Sequence, residues 1–112
     1  MKIIYNNIIP VKGFSAINLF GVVFARKEFN PLSRVTINHE QIHWEQMLEL
    51  LFFGFYVWYF LEWLFRIAQY RNLKEAYRNI SFEREARKNE TNLKYTEHRV
   101  SYSFFKYLGL WT

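Results

Sequence analysis

His39-Glu40-Gln41-Ile42-His43 reads as H-E-x-x-H and uses two of the three histidines in the chain. On a helix, residues four apart stand one turn apart on one face, so both imidazoles can converge on a single metal ion. Glu40 is rotated by roughly a quarter turn from His39, which sets its carboxylate beside the metal's open position and not among the ligands. Two neutral nitrogen ligands and an adjacent base are what a zinc hydrolase needs, the base acting on the water that the metal activates. The competing reading is structural, with His39 on the surface and His43 in the core. Glu40 weighs against it, because a purely structural site has no use for a carboxylate between the ligands.

Catalytic zinc usually takes three protein ligands and a water, so a third ligand must come from elsewhere. The chain has no cysteine, which excludes thiolate ligands, disulfides and thiol catalysis. It has no aspartate either, so every carboxylate doing chemistry is a glutamate or the chain terminus. Glu49 falls where the long metzincin motif H-E-x-x-H-x-x-G-x-x-H has its third ligand, but that motif needs a helix-breaking glycine and Gln46 stands there. On an unbroken helix Glu49 lies about 240° around from His43 and faces away. Glu62 is better explained by Arg66, four residues on. His98 lies far along a polar region, and its spacing does not recommend it. Glu83 is the strongest candidate. It stands in the first turn of a downstream helix, where the helix dipole keeps a carboxylate ionised. The small Ala86, three positions later, lets that helix pack closely on the motif helix. Glu85 points the opposite way and reads as a solvated charge.

At these residues the chain resembles the gluzincins, metallopeptidases with H-E-x-x-H on one helix and a glutamate ligand on a following one. Glu83-Arg84-Glu85-Ala86 looks like the E-x-x-A-D second motif of the membrane-bound CAAX-endopeptidase-like branch. The length is similar to that of the minigluzincins and of short uncharacterised bacterial proteins regarded as metallopeptidases. The motif resemblance covers residues 36–49 and 76–90. One departure is Arg87, where the family has an aspartate that orients a histidine ligand; Glu90, on the same helix face as Glu83, could substitute, as could Asn79 or a backbone carbonyl.

The resemblance implies zinc-dependent peptide hydrolysis, with Zn(2+) held by His39, His43 and Glu83 and with Glu40 as general base. A peptide or protein substrate would lie extended against an exposed strand, for which residues 16–26 offer the edge. Tyr77, Arg78 and His98 are the polar groups that could reach a developing oxyanion. The tail, residues 101–112, could fold back over the site. The alternative is a non-catalytic binding protein, zinc-stabilised or membrane-associated, whose functional surface is the aromatic stretch 50–61.

Composition narrows the setting. A chain of 112 residues allows one domain, here residues 1–112, and aromatics at 21% supply a core without length. Residues 1–65 carry five Lys/Arg and five Glu, so the whole net charge of +5 lies in residues 66–112. There the cations alternate with glutamates at helical spacing, which favours solvated helix faces over a nucleic-acid partner. No export signal is evident at the N-terminus, so a cytoplasmic location is expected. The uninterrupted apolar run, residues 50–61, falls short of the approximately 20 residues of a membrane span. A buried helix, one lying on a membrane or one joining two copies of the chain fits it better.

The expected fold is α+β, a small N-terminal antiparallel β-hairpin packed on a helical bundle that carries the H-E-x-x-H helix. Residues 2–9 are β-branched and apolar and end at Pro10; residues 16–26 form a second strand, with Gly21 a bulge or a point of close backbone approach. Thr36 or Asn38 caps the motif helix, and Gly54 breaks it from a second apolar helix on which Glu62 and Arg66 mark the wetter face. Ser81 caps a helix running to about Lys94, and Tyr102, Phe105 and Leu108 outline a last short amphipathic segment.

Overall fold

The computed structural model describes residues 1–110; Trp111 and Thr112, the end of the tail, lie outside the described residues. The fold is α+β. Strands β1 (Lys2–Asn6), β2 (Ala16–Leu19) and β3 (Val22–Arg26) precede α1 (Arg34–Glu49), α2 (Phe53–Tyr70), α3 (Leu73–Arg78), α4 (Ser81–Asn89) and α5 (Tyr95–His98). A 3-10 turn over Ser103–Tyr107 follows.

The antiparallel hairpin is built within residues 16–26, which are two strands and not one. Phe20 and Gly21 both have positive φ, 54° and 89°, which is what a two-residue hairpin turn between right-twisted strands requires. Gly21 is also a point of close approach. A Cβ there would stand 2.3 Å from Cζ3 of Trp44, so the ring of α1 lies directly on the turn. Strand β3 is central, pairing antiparallel with β2 and parallel with β1, which leaves β2 as an edge strand.

Ser33, not Thr36 or Asn38, caps α1, its hydroxyl accepting from the Thr36 amide at 3.1 Å. The amide of Asn38 instead donates to the carbonyls of Asn89, Glu90 and Asn92, tying α1 to the end of α4. The break after α1 comes before Gly54, at Leu51 and Phe52, whose φ values of 55° and 63° end the helix. There α1 and α2 meet at 111°. Gly54 sits in the first turn of α2 with Cβ space limited by Leu50, so it eases the packing across the break rather than making it.

The main core gathers Met47, Phe55, Ile80, Phe82 and Phe104; a smaller one under the sheet joins Val23, Ala25 and Leu32. In the tail the inward residue is Phe104, packed edge-to-face on Trp58 and tilted against Phe82, while Phe105 is exposed.

The greatest departure from expectation is the rotation of α2. Glu62 and Arg66 do not face water but are buried, and they bond each other at 3.2–3.3 Å. Both oxygens of Glu62 also accept from Ser81, from its amide and its hydroxyl, each at 2.6 Å. A carboxylate from α2 thereby satisfies the free N–H at the start of α4 and lies on the favourable end of its dipole. Ser81 receives a cap rather than providing one. As a result the opposite face of α2, with Phe53, Val57, Phe60 and Leu61, is exposed and not buried by the chain itself.

Candidate metal centre

His39 and His43 project from α1 toward the first turn of α4. Three contacts hold that turn in place: the Glu62 cap, burial of Phe82, and close packing at Ala86, which is fully buried. Glu83 is thereby brought between the imidazoles. Its Oε1 lies 3.1 Å from Nε2 of His39, its Oε2 lies 3.1 Å from Nε2 of His43, and the two Nε2 atoms are 3.2 Å apart. Donors bonded tetrahedrally at zinc-like distances stand about 3.3 Å from one another, so these three side chains fit one small divalent cation. His39, Glu40 and His43 also each offer a donor atom within 4.8 Å of one another. Glu83 is the closer carboxylate to both imidazoles. The group of His39, Glu40 and His43 can hold a metal ion.

Each ligand is oriented from behind. Nδ1 of His39 lies 3.1 Å from Oε1 of Glu90, and Nδ1 of His43 lies 2.8 Å from Oε1 of Gln46. With both Nδ1 atoms donating, both Nε2 atoms would be free to bind a metal ion. Glu83 accepts from the Tyr59 hydroxyl at 2.7 Å. Gln46 is itself held, its amide donating to Glu85 at 3.0 Å and to the Phe82 carbonyl at 3.2 Å. Glu85 is not a solvated charge. It is fully buried and bonds Arg99, Gln46 and Tyr95, and Arg99 continues to Glu49 on α1. Glu49 thus faces away from the metal group, as its helical angle predicts.

Electrostatics follow from burial and pairing. Burial works to lower the His43 pKa, but the Glu83 charge and hydrogen bond, then Glu40 and Gln46, outweigh it and push the value up to about 9. Burial likewise opposes ionisation of Glu83, yet the two histidines hold its carboxyl well below the usual carboxylate range. Glu40 is the opposite case. Burial raises its pKa, with the charges of His43 and His39 acting against the rise. Among the described residues no side chain hydrogen-bonds its carboxylate, and the residue, 6% exposed, lines a groove.

That groove has a volume of about 850 Å³ and an apolar lining. Strand β2 forms one wall, residues 8–14 the rim, and Met47, Phe55, Tyr56, Tyr59 and Trp63 the other wall, with Glu40, His43 and Glu83 at the base. Tyr77 lines it beside Glu83; burial and then the Glu83 charge push its phenol well above the ordinary range, so it stays protonated. Arg78 and His98 are exposed and do not line the groove. The described part of the tail, residues 101–110, does not line it either. Residues 107–110 instead accept hydrogen bonds from Arg84 and Arg66 on the far side of α4. Asn79 bonds Arg84 and the Glu75 carbonyl, and Arg87 lies over the Tyr77 ring, so of the substitutes weighed for the missing aspartate Glu90 is the one at the histidine.

Gln46 and Tyr59 complete the centre without having been singled out from sequence. Gln46 carried a signal, standing three residues after His43 on the same helix face. Tyr59 carried one only if Glu62 and Arg66 were read as inward, since Phe55, Tyr59, Glu62 and Arg66 share one stripe of α2. No protein-family model, curated protein or solved structure matches the chain.

Proposed function

We propose that the chain is a zinc-dependent peptide hydrolase with His39, His43 and Glu83 as ligands and Glu40 as general base. One observation carries this reading: the Nε2 atoms of His39 and His43 and the two carboxylate oxygens of Glu83 converge at 3.1–3.2 Å beside a buried glutamate that no neighbouring side chain bonds, at the base of an open groove. Two imidazoles and a carboxylate at tetrahedral spacing suit zinc better than the oxygen-rich, six-coordinate cations. The gluzincin-like pattern of H-E-x-x-H with a downstream glutamate supports the same assignment.

Zinc in this position would supply Lewis acidity, polarising a carbonyl and lowering the pKa of water. The residues of the chain do the rest. A peptide laid extended along the edge strand β2 would pair with its free backbone groups and set apolar side chains into the groove. Glu40 takes a proton from the attacking water on its carboxylate and passes it to the leaving amine. Its raised pKa suits a group that must both accept and release that proton. Tyr77, held protonated and lining the groove beside Glu83, would be the donor to a developing oxyanion.

The test is Glu40→Gln, which keeps shape and leaves the three ligands in place. Peptide hydrolysis should fall about 10²–10⁴-fold while elemental analysis still finds one zinc per chain. A wild type that binds zinc yet cleaves nothing in a diverse peptide library overturns the enzyme reading and leaves a site that only binds metal.

A further inference from the structure

The outer face of α2 has no function in the metal centre, and its composition is unusual. Every exposed residue on this helix is apolar: Phe53, Gly54, Val57, Phe60, Leu61, Leu64, Phe65 and Ala68. Its two charged residues are turned inward, with Arg66 1% and Glu62 8% exposed, while Phe53 is 77% and Leu61 59% exposed. A helix facing water shows the reverse distribution. Large apolar patches of this kind mark contact with another phase or partner. The ring of Phe20, 6.4 Å from Phe53, carries the patch onto the hairpin tip.

The chemistry around the patch identifies the occupant. Protein–protein interfaces carry about one hydrogen bond per 100–200 Å², and this face offers no side chain able to make one. The half-buried Trp58 and Trp63 spend their N–H groups internally, on Glu62 and the Leu73 carbonyl. Exposed cations stand at its margins. Arg71 and Lys74 lie beyond the C-terminal end of α2, and Lys106 follows Phe105, whose ring packs on Trp58. The only acid in α2 is neutralised inside, and on α3 Glu75 is outnumbered by Lys74 and Arg78. An apolar face with exposed cations past one end, of which Lys74 also borders the groove, and another beside Phe105 complements a bilayer with anionic headgroups, where apolar side chains reach the acyl boundary and Lys/Arg meet phosphates. No single helix among the described residues is long and apolar enough to cross a membrane; α1 and α2 pass that test only as a pair bent by 111°, and α1 carries the buried polar group, so α2 would lie along the surface.

We propose that the chain docks on anionic membranes through the outer face of α2, with Arg71, Lys74 and Lys106 reading the headgroup charge. The proposal stands apart from the hydrolase reading, since nothing in it uses the metal ligands.

Co-sedimentation of the full chain with vesicles tests it. The protein should pellet with vesicles of phosphatidylcholine and phosphatidylglycerol in equal parts and much less with phosphatidylcholine alone. Leu61→Gln with Phe65→Gln should lower binding to the mixed vesicles about tenfold or more. Arg71→Gln with Lys74→Gln leaves the apolar face intact and should lower it about fivefold per charge, an effect that salt erases in the wild type. The melting temperature of each variant confirms that the fold is kept. Equal binding to neutral and mixed vesicles overturns the charge-reading part, and no binding to either overturns the whole. A dimer in detergent-free buffer that Leu61→Gln with Phe65→Gln splits into monomers, with no vesicle binding by the wild type, assigns the face to a second copy and overturns the lipid assignment.

Discussion

Helix α4 reads SFEREARKN, and its first six residues are buried, three of them charged; α2 is far more apolar, yet buries only Phe55, Glu62 and Arg66. Hydropathy alone ranks these helices the wrong way round. What distinguishes them is pairing. In α4 each buried charge meets partners: Glu83 the histidines and Tyr59, Arg84 the tail carbonyls and Asn79, Glu85 the Arg99 guanidinium. Among the described residues no side-chain nitrogen or oxygen that is wholly enclosed lacks a hydrogen-bond partner; the Glu40 carboxylate, unbonded, opens on the groove. Polar burial is tolerable on that condition, and it fixes which atoms meet where apolar packing would allow sliding. The outer face of α2 has no partner in the chain, so its apolar side chains remain outside. The comparison teaches that burial in this molecule follows the assembly of a polar site and not the removal of the most apolar surface from water.

The contrast breaks most sharply at Arg99. Its side chain is 2% exposed and is held between Glu85 and Glu49. Arg99→Met should cost about 3–5 kcal/mol in urea denaturation, because Glu85 is left buried without its counter-charge. Adding Glu85→Met should recover much of that loss; a double variant as unstable as the single one would show that lost packing, and not the stranded charge, dominates. Behind the metal group, Gln46→Ala and Glu90→Ala should each weaken metal affinity about 10–100-fold in a chelator competition. An unchanged affinity for either would remove that residue from the orientation of its histidine.

Protonation gives a further effect. Without metal, the pKa of His43 lies at about 9, above its ordinary 6.5, so the ring is charged at neutral pH and paired with Glu83. A metal ion must displace that proton. Apparent affinity should therefore rise about tenfold per pH unit up to roughly pH 9 and then level, with proton release visible by calorimetry in buffers of different ionisation enthalpy. The stability that the pair lends the metal-free protein runs the other way, full below pH 6.5 and lost as pH rises through about 9. The smallest effect belongs to the face of α2. Val57, 59% exposed, should tolerate Val57→Gln with a change in unfolding free energy of no more than about 0.5 kcal/mol. A loss several times larger would mean that the face packs against the protein itself.

Much of the metal group was legible because its signals are local. H-E-x-x-H needs only the 3.6-residue period to bring His39 and His43 together and set Glu40 beside them. Glu83 was legible as a carboxylate in the first turn of a helix, and Glu90 as its neighbour on the same face. Arg78 and His98 were chosen on residue type, which carries no direction, and the chain places both in solvent. Glu85 was misjudged for a related reason: its partner Arg99 lies fourteen residues on, beyond α5, and no helical spacing connects them. The sheet was half legible. From sequence Gly21 reads as a bulge or close approach within one strand, whereas Phe20-Gly21 is the turn of a hairpin, and the parallel pairing of β1 with β3 is non-local and leaves no pattern in either strand.

The sequence alone determined the helix that bears the motif, the inventory of possible ligands restricted to histidine and glutamate, and the α+β class, since each rests on residue type or on spacing within a few turns of backbone. Only the tertiary structure decided which way α2 is rotated. The period of that helix is the same whether its charged stripe faces water or Ser81, and the choice is made by the free N–H groups of α4, which accept Glu62 as their cap, and by the tail carbonyls that receive Arg66. That one rotation sets Tyr59 on Glu83, opens the groove above Glu40 and turns a row of phenylalanines and leucines outward. Such outcomes depend on hydrogen-bond partners supplied from distant segments, which periodicity within a single helix does not encode.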